Sequence, residues 1–200
     1  MTQPVAERIL VHARRLPEGA LISAKELLHL GTRAAVDQAL KRLQEANELM
    51  RVGRGLYVLP VKTRFGVRAP TPESVVERLA ATRGEIIVPH GASAANMLGL
   101  TTQVPIRIVY LTSGPSRELA LGAQVVEMRN APQWMLLPAT PKAGEAVRAL
   151  EWLGEKRAAK ALTTLKQKLP PSVLQDLVTL RPALPDWMAR SISHTLVPHG

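Results

Sequence analysis

Between Pro4 and Leu16 the apolar residues Val5, Ile9, Leu10 and Ala13 recur at helical spacing and predict a first helix. Pro17 and Gly19 break it. Ser23-Ala24-Lys25-Glu26 then has the form of a capping box, in which a hydroxyl and a carboxylate each satisfy a backbone N–H left over at a helix start. It predicts a short second helix that buries Leu27, Leu28 and Leu30 and stops at Gly31. Thr32 is placed to cap a third helix running to about Ala46. Leu49–Val52 and Leu56–Leu59 predict two strands around Gly53-Arg54-Gly55, and Pro60 ends the second. Three helices and a hairpin, with a very short turn between the second and third helices, is the order of a winged helix-turn-helix.

The run that follows, Val61 to Ser74, is rich in Pro, Gly and Arg and reads as a linker, with a boundary near Val67–Pro72. Beyond it, Glu73–Arg83 has the pattern of an amphipathic helix burying Val75, Val76, Leu79 and Ala80. "EIIVP" reads as a buried strand, and Ser93 is placed to cap a short helix through Leu98. "PIRIVYLT" and "AQVVEMRN" predict two more strands. From Ala143 the pattern turns helical: Ala143–Leu153, Glu155–Leu169, a helix from Pro171 through Leu180, and Asp186–Leu196. The expectation is an α+β chain: a winged helix-turn-helix over residues 1–68, then a small α+β domain with C-terminal helices over residues 69–200.

On a helical wheel the third helix divides cleanly. Val36, Ala39, Leu40 and Leu43 share one side as the core face. Ala34, Gln38, Lys41 and Glu45 share the other, with Arg42 at its edge and Arg33 in the first turn. A helix that reads DNA needs this division. Small alanines allow close approach to the groove, Gln bonds adenine bidentately, and Arg or Lys donates to guanine. Arg51 and Arg54 lie at a glycine-flanked tip of the kind that reaches the phosphate backbone or the narrow minor groove, where Arg is favoured. The expected DNA contacts are therefore Arg33, Ala34, Gln38, Lys41 and Arg42 in the major groove, and Arg51 and Arg54 beside it.

Charge strengthens this picture. The chain holds 26 Lys/Arg against 16 Asp/Glu, a net charge of +10. Residues 1–68 carry 12 of the cations against 6 acids, so the excess is denser there. So basic a balance points to a polyanionic partner. Aromatic residues are only 3% of the chain, which leaves RNA recognition without its usual stacking platform. With no cysteine, a disulfide framework, a thiol nucleophile and cysteine-ligated zinc are excluded. No apolar run approaches the roughly 20 residues that cross a bilayer, and Met1–Leu16 lacks the continuous apolar segment of a signal peptide. A soluble, cytoplasmic protein is expected.

The stretch "GALISAKELLHLGTRAAVDQALKRLQEANELMRVGRGLYVLP", from Gly19 to Pro60, resembles the N-terminal domain of the AbiEi-like antitoxin family of abortive-infection (type IV) toxin–antitoxin systems. The likeness rests on the helix Thr32–Leu40 and the wing Gly53–Tyr57. It extends through Gly84–Gly114, which is similar to the start of that family's second domain. The resemblance implies a winged helix that represses its own promoter at an inverted-repeat operator. It also implies a C-terminal domain that counters a nucleotidyltransferase-like toxin.

Other constellations point away from catalysis. His90 precedes Ser93 by three residues, but no G-x-S-x-G elbow exists to present a serine nucleophile, and the two read as a loop residue and a helix cap. The histidines at 12, 29, 90, 194 and 199 lack metal-ligand spacing. No phosphate loop or dinucleotide fingerprint occurs. The expectation is a non-enzymatic protein with no cofactor. A second basic stretch, Glu155–Lys168, reads as a solvated helix face or a further backbone-contacting surface. The alternative to a DNA-binding repressor is a protein-interaction module whose winged helix docks a protein partner without operator recognition. The sequence leaves monomer and dimer equally open.

Overall fold

The computed structural model describes residues 3–137 and 140–197, so His199 lies outside the described residues. The first helix forms as spaced: α1 (Val5–Arg15) buries Ile9 and Ala13. The segment after it departs from expectation. Ile22 and Ser23 form a two-residue strand, β1 (Ile22–Ser23), antiparallel to Tyr57 and Leu56. Leu28–Leu30 is a single 3₁₀ turn rather than an α-helix. Half of the capping box survives, with the Ser23 N–H donating to Glu26 Oε2 at 3.1 Å. The reason is length: the few residues between β1 and Gly31 cannot repay helix nucleation, and Ile22 reaches the core by strand pairing instead. Leu27 is buried while Leu28 stays exposed.

Thr32 does cap the next helix, α2 (Arg33–Glu45), its Oγ1 accepting from the Ala35 N–H at 3.3 Å. Asn47 adopts a left-handed conformation, φ 55°, and turns the chain into β2 (Met50–Gly53). Arg54 and Gly55 connect β2 to β3 (Leu56–Val58), and Gly55 supplies the positive φ of 66° that this turn requires. The β2–β3 register slips between Arg51 and Gly53, a bulge that strengthens the local twist. β1, β3 and β2 make one sheet in that order.

The expected linker is a second hairpin. β4 (Val61–Thr63) pairs antiparallel with β5 (Gly66–Arg68), Val61 opposite Arg68. Thr63 Oγ1 ties the turn, accepting from the Phe65 N–H at 3.2 Å and donating to the Gly66 carbonyl at 2.9 Å. Thr71 then caps α3 (Pro72–Arg83), accepting from the Ser74 N–H at 3.3 Å. α3 buries Val75, Val76 and Leu79.

β6 (Ile87–Pro89) leads into α4 (Gly91–Met97). The cap of α4 is His90 rather than Ser93: the imidazole Nδ1 accepts from the Ala92 N–H at 3.2 Å. β7 (Ile108–Thr112) runs antiparallel to β6. β8 (Arg117–Leu121), which the sequence reading missed, and β9 (Gln124–Asn130) follow. The strand order is β6-β7-β9-β8. A short α5 (Gln133–Leu136) precedes four helices that lie where the pattern put them: α6 (Pro141–Leu153), α7 (Glu155–Lys168), α8 (Pro171–Leu180) and α9 (Asp186–Leu196). The chain is thus mixed α+β with small sheets.

The chain divides into two compact units: residues 1–85 with 117–127, and residues 86–116 with 128–200. The first unit therefore extends past the boundary expected near Val67–Pro72 and includes α3. Glu18 shows why α3 stays with it. Its Oε1 accepts from Arg68 Nη1 at 3.1 Å and from the Thr71 N–H at 3.3 Å. Ile9, Ile22, Leu27, Val36, Leu40 and Leu49 form the core against which α1 and α2 pack. In the second unit, Val147, Leu150, Leu162, Leu165, Met188 and Ile192 anchor a helical core.

Candidate nucleic-acid interface

α2 has the two faces its spacing predicts. Val36, Ala39, Leu40 and Leu43 are buried, while Arg33, Ala34, Gln38, Lys41 and Arg42 are exposed. The cations differ in their company. Arg33 Nε donates to Asp37 Oδ2 at 2.8 Å, and Lys41 Nζ stands 3.8 Å from Glu45 Oε1. Arg42 and Arg54 form no ion pair among the described residues. Arg51 is exposed but folds onto its own hairpin, Nε donating to the Gly53 carbonyl at 3.2 Å.

Sequence reasoning missed the second hairpin, which adds Lys62, Arg64 and Arg68 to the first unit's cations. Arg64 lies over the ring of Phe65, 4.6 Å from its centroid, and Phe65 is 85% exposed. Arg68 is paired with Glu18 at 3.1 Å and Lys62 with Glu48 at 4.0 Å. A cleft of about 460 Å³ is lined by Gln44 of α2, Asn47 just beyond it, Met50 and Arg51 of β2, and Val67 of β5. It brings Arg51 beside the second hairpin. The signal for β4–β5 was the β-branched set Val61, Thr63 and Val67 flanking Arg64-Phe65-Gly66, obscured by the density of charge.

The second unit holds an open cavity of about 550 Å³, whose lining includes His90, Ser93, Arg107, Arg129 and Trp152. Its described lining contains no carboxylate that could orient a histidine base. His90 Nδ1 is occupied by the α4 cap. Three of the cations of α7 donate to backbone carbonyls. Lys168 Nζ reaches those of Leu98 and Gly99 at 3.4 and 3.2 Å, Lys166 Nζ that of Thr195 at 3.3 Å, and Arg157 Nε that of Leu153 at 2.9 Å. Arg148, 3% exposed, donates from Nη1 to the Met135 carbonyl at 3.1 Å. Burial lowers its pKa from the ordinary arginine value, and nearby Glu145 opposes the shift.

No curated protein matches the chain. Among solved structures, it is similar to the RV2827C protein from Mycobacterium tuberculosis. The identity is 17%, the TM-score 0.49, and the match covers 98% of this chain and 77% of that one. Residues 8–174 match DUF6088, described as a family of unknown function, and the chain belongs to that family.

Proposed function

We propose that the first unit is a winged helix-turn-helix that binds duplex DNA, and that the chain is a sequence-specific transcriptional repressor. One observation carries the reading: α2 exposes Gln38, Lys41 and Arg42 opposite its buried stripe, and the β2–β3 hairpin that follows in the same unit ends in exposed Arg54. α2 acts as the recognition helix, with Arg33, Ala34, Gln38, Lys41 and Arg42 toward the major groove. Arg51 and Arg54 take the flanking backbone or minor groove. The net charge of +10 supplies the sequence-independent attraction. The finer role, autoregulating antitoxin of an AbiE-like type IV system with a nucleotidyltransferase-like toxin as functional partner, rests on the resemblance of Gly19–Pro60.

The test is titration of the full chain against a duplex from its own promoter and a scrambled duplex, over a range of salt. Tighter binding to the promoter, with affinity on both falling steeply as salt rises, supports the repressor. Absence of binding to either at low salt overturns it and leaves the protein-interaction module. Rescue of growth on co-expression with a neighbouring nucleotidyltransferase-like gene tests the antitoxin role separately.

A further inference from the structure

Most exposed apolar residues are tolerated singly on a protein surface, but Phe65 is not placed like one of these. It stands at the turn of β4–β5, a hairpin whose residues are exposed apart from half-buried Val61. A two-stranded hairpin with no covered face is marginal on its own. This one nevertheless presents Phe65 at 85% exposure and Val67 at 62%, and intersperses them with Lys62, Arg64 and Arg68. The Arg64 guanidinium stacks over the Phe65 ring, 4.6 Å from its centroid. Apolar ring and cation are thus offered together.

That pairing fits one kind of surface. An apolar side chain at the tip of a basic element can enter between base steps from the minor groove, while the neighbouring cations hold phosphates on either side. A protein surface with an acidic rim would satisfy the cations. Nucleic acid is favoured because the same unit also exposes Arg42 and Arg54, which form no ion pair among the described residues. The cleft between Arg51 and Val67 ties the second hairpin to the first: a strand held by Arg51 would run beside β5.

We propose that β4–β5 is a second DNA-contacting arm, in which Phe65 wedges into a base step and kinks the duplex while Arg64 and Lys62 bind the adjoining phosphates. This rests on the DNA-binding reading above and adds deformation of the DNA to it. A flexible pyrimidine–purine step is the favoured site, since it unstacks at least cost.

The experiment is gel mobility of circularly permuted fragments of the protein's own promoter with the full chain, its Phe65→Ala and Phe65→Leu variants, and an Arg64→Ala/Lys62→Ala double variant. Wild type is expected to bend the fragment by some tens of degrees. Phe65→Ala is expected to bind with roughly tenfold lower affinity, on the scale of one lost base–aromatic contact, and with the bend largely gone. Phe65→Leu, still an apolar wedge, retains most of the bend. The double variant loses about two units of salt slope. Thermal melts check that each variant is folded, which the exposure of Phe65 leads us to expect. Binding without a bend, or an undiminished bend with Phe65→Ala, overturns the wedge and leaves the repressor intact. No binding to any fragment overturns both.

Discussion

Arg33 Nε donates to Asp37 Oδ2 at 2.8 Å, one helical turn along the exposed face of α2. The carboxylate thus occupies a cation that the DNA reading needs and adds a negative charge where phosphate would come. Both side chains are largely exposed, so the pair itself contributes little, on the order of 0.2–1 kcal/mol. Asp37→Asn is therefore expected to leave the fold almost unchanged and to tighten binding to any duplex several-fold at low salt. The gain fades as salt screens the interaction. Isothermal titration at two ionic strengths measures this, and unaltered affinity at low salt would mean that this face of α2 does not meet DNA.

The tip of the first hairpin makes a different prediction, because Arg54 forms no ion pair among the described residues. Arg54→Ala should weaken binding to all sequences alike and flatten the dependence of log affinity on log salt by about one unit. An unchanged slope and affinity would remove the hairpin from the interface.

Base reading separates from mere attraction at Gln38. Gln38→Ala should cost about 1–3 kcal/mol on the promoter and little on scrambled DNA. Its stability should move by less than about 0.5 kcal/mol, as for most surface changes. Val36→Asp should do the reverse: Val36 is fully buried, so a charge there unfolds the first unit whatever the DNA. Equal losses on both duplexes for Gln38→Ala would leave α2 a phosphate-binding helix only.

In the second unit, α4 meets α6 almost backbone to backbone. A Cβ on Gly91 would overlap the Arg148 carbonyl oxygen and stand 2.7 Å from Trp152 Cβ. Gly91→Ala should accordingly destabilise this unit by about 1–3 kcal/mol, the usual cost of overpacking. The change should appear in a urea melt followed by tryptophan fluorescence. A midpoint equal to wild type would show that the two helices part easily.

Periodicity made the helices legible. Thr32 and the Val36, Leu40, Leu43 stripe defined α2, and α6 to α9 announced themselves the same way. Strands without a buried face were the hardest to see. β4–β5 does alternate Val61, Thr63, Phe65 and Val67 with Lys62, Arg64 and Arg68, but it has almost no core side and its charge and glycine made it pass for a linker. β8 was legible in principle: Leu119 and Leu121 alternate before Gly122, as Val126 and Met128 do after it, and all four are buried. Ser23 and Glu26 misled in another way. The carboxylate-to-amide bond of a capping box formed, at 3.1 Å, around a turn too short to become a helix. Partnerships across long separations left no mark at all. Arg117 of β8 donates through Nη1 to Glu85 Oε1 at 3.1 Å and through Nη2 to Glu85 Oε2, with both side chains mostly buried. Nothing near Glu85 in the chain announces that pair.

Glu18 grips the second hairpin at its root, through Arg68 on β5 at 3.1 Å. Mechanically it is a cantilever, fixed at one end and loaded at the other. Strands of three residues, at about 3.3 Å each, give it a reach of roughly 10 Å. The grip sits at the root, so the Phe65 tip stands clear in solvent, 85% exposed. Raising the ionic strength then acts on it twice, screening the charges at the tip and loosening the grip at its root.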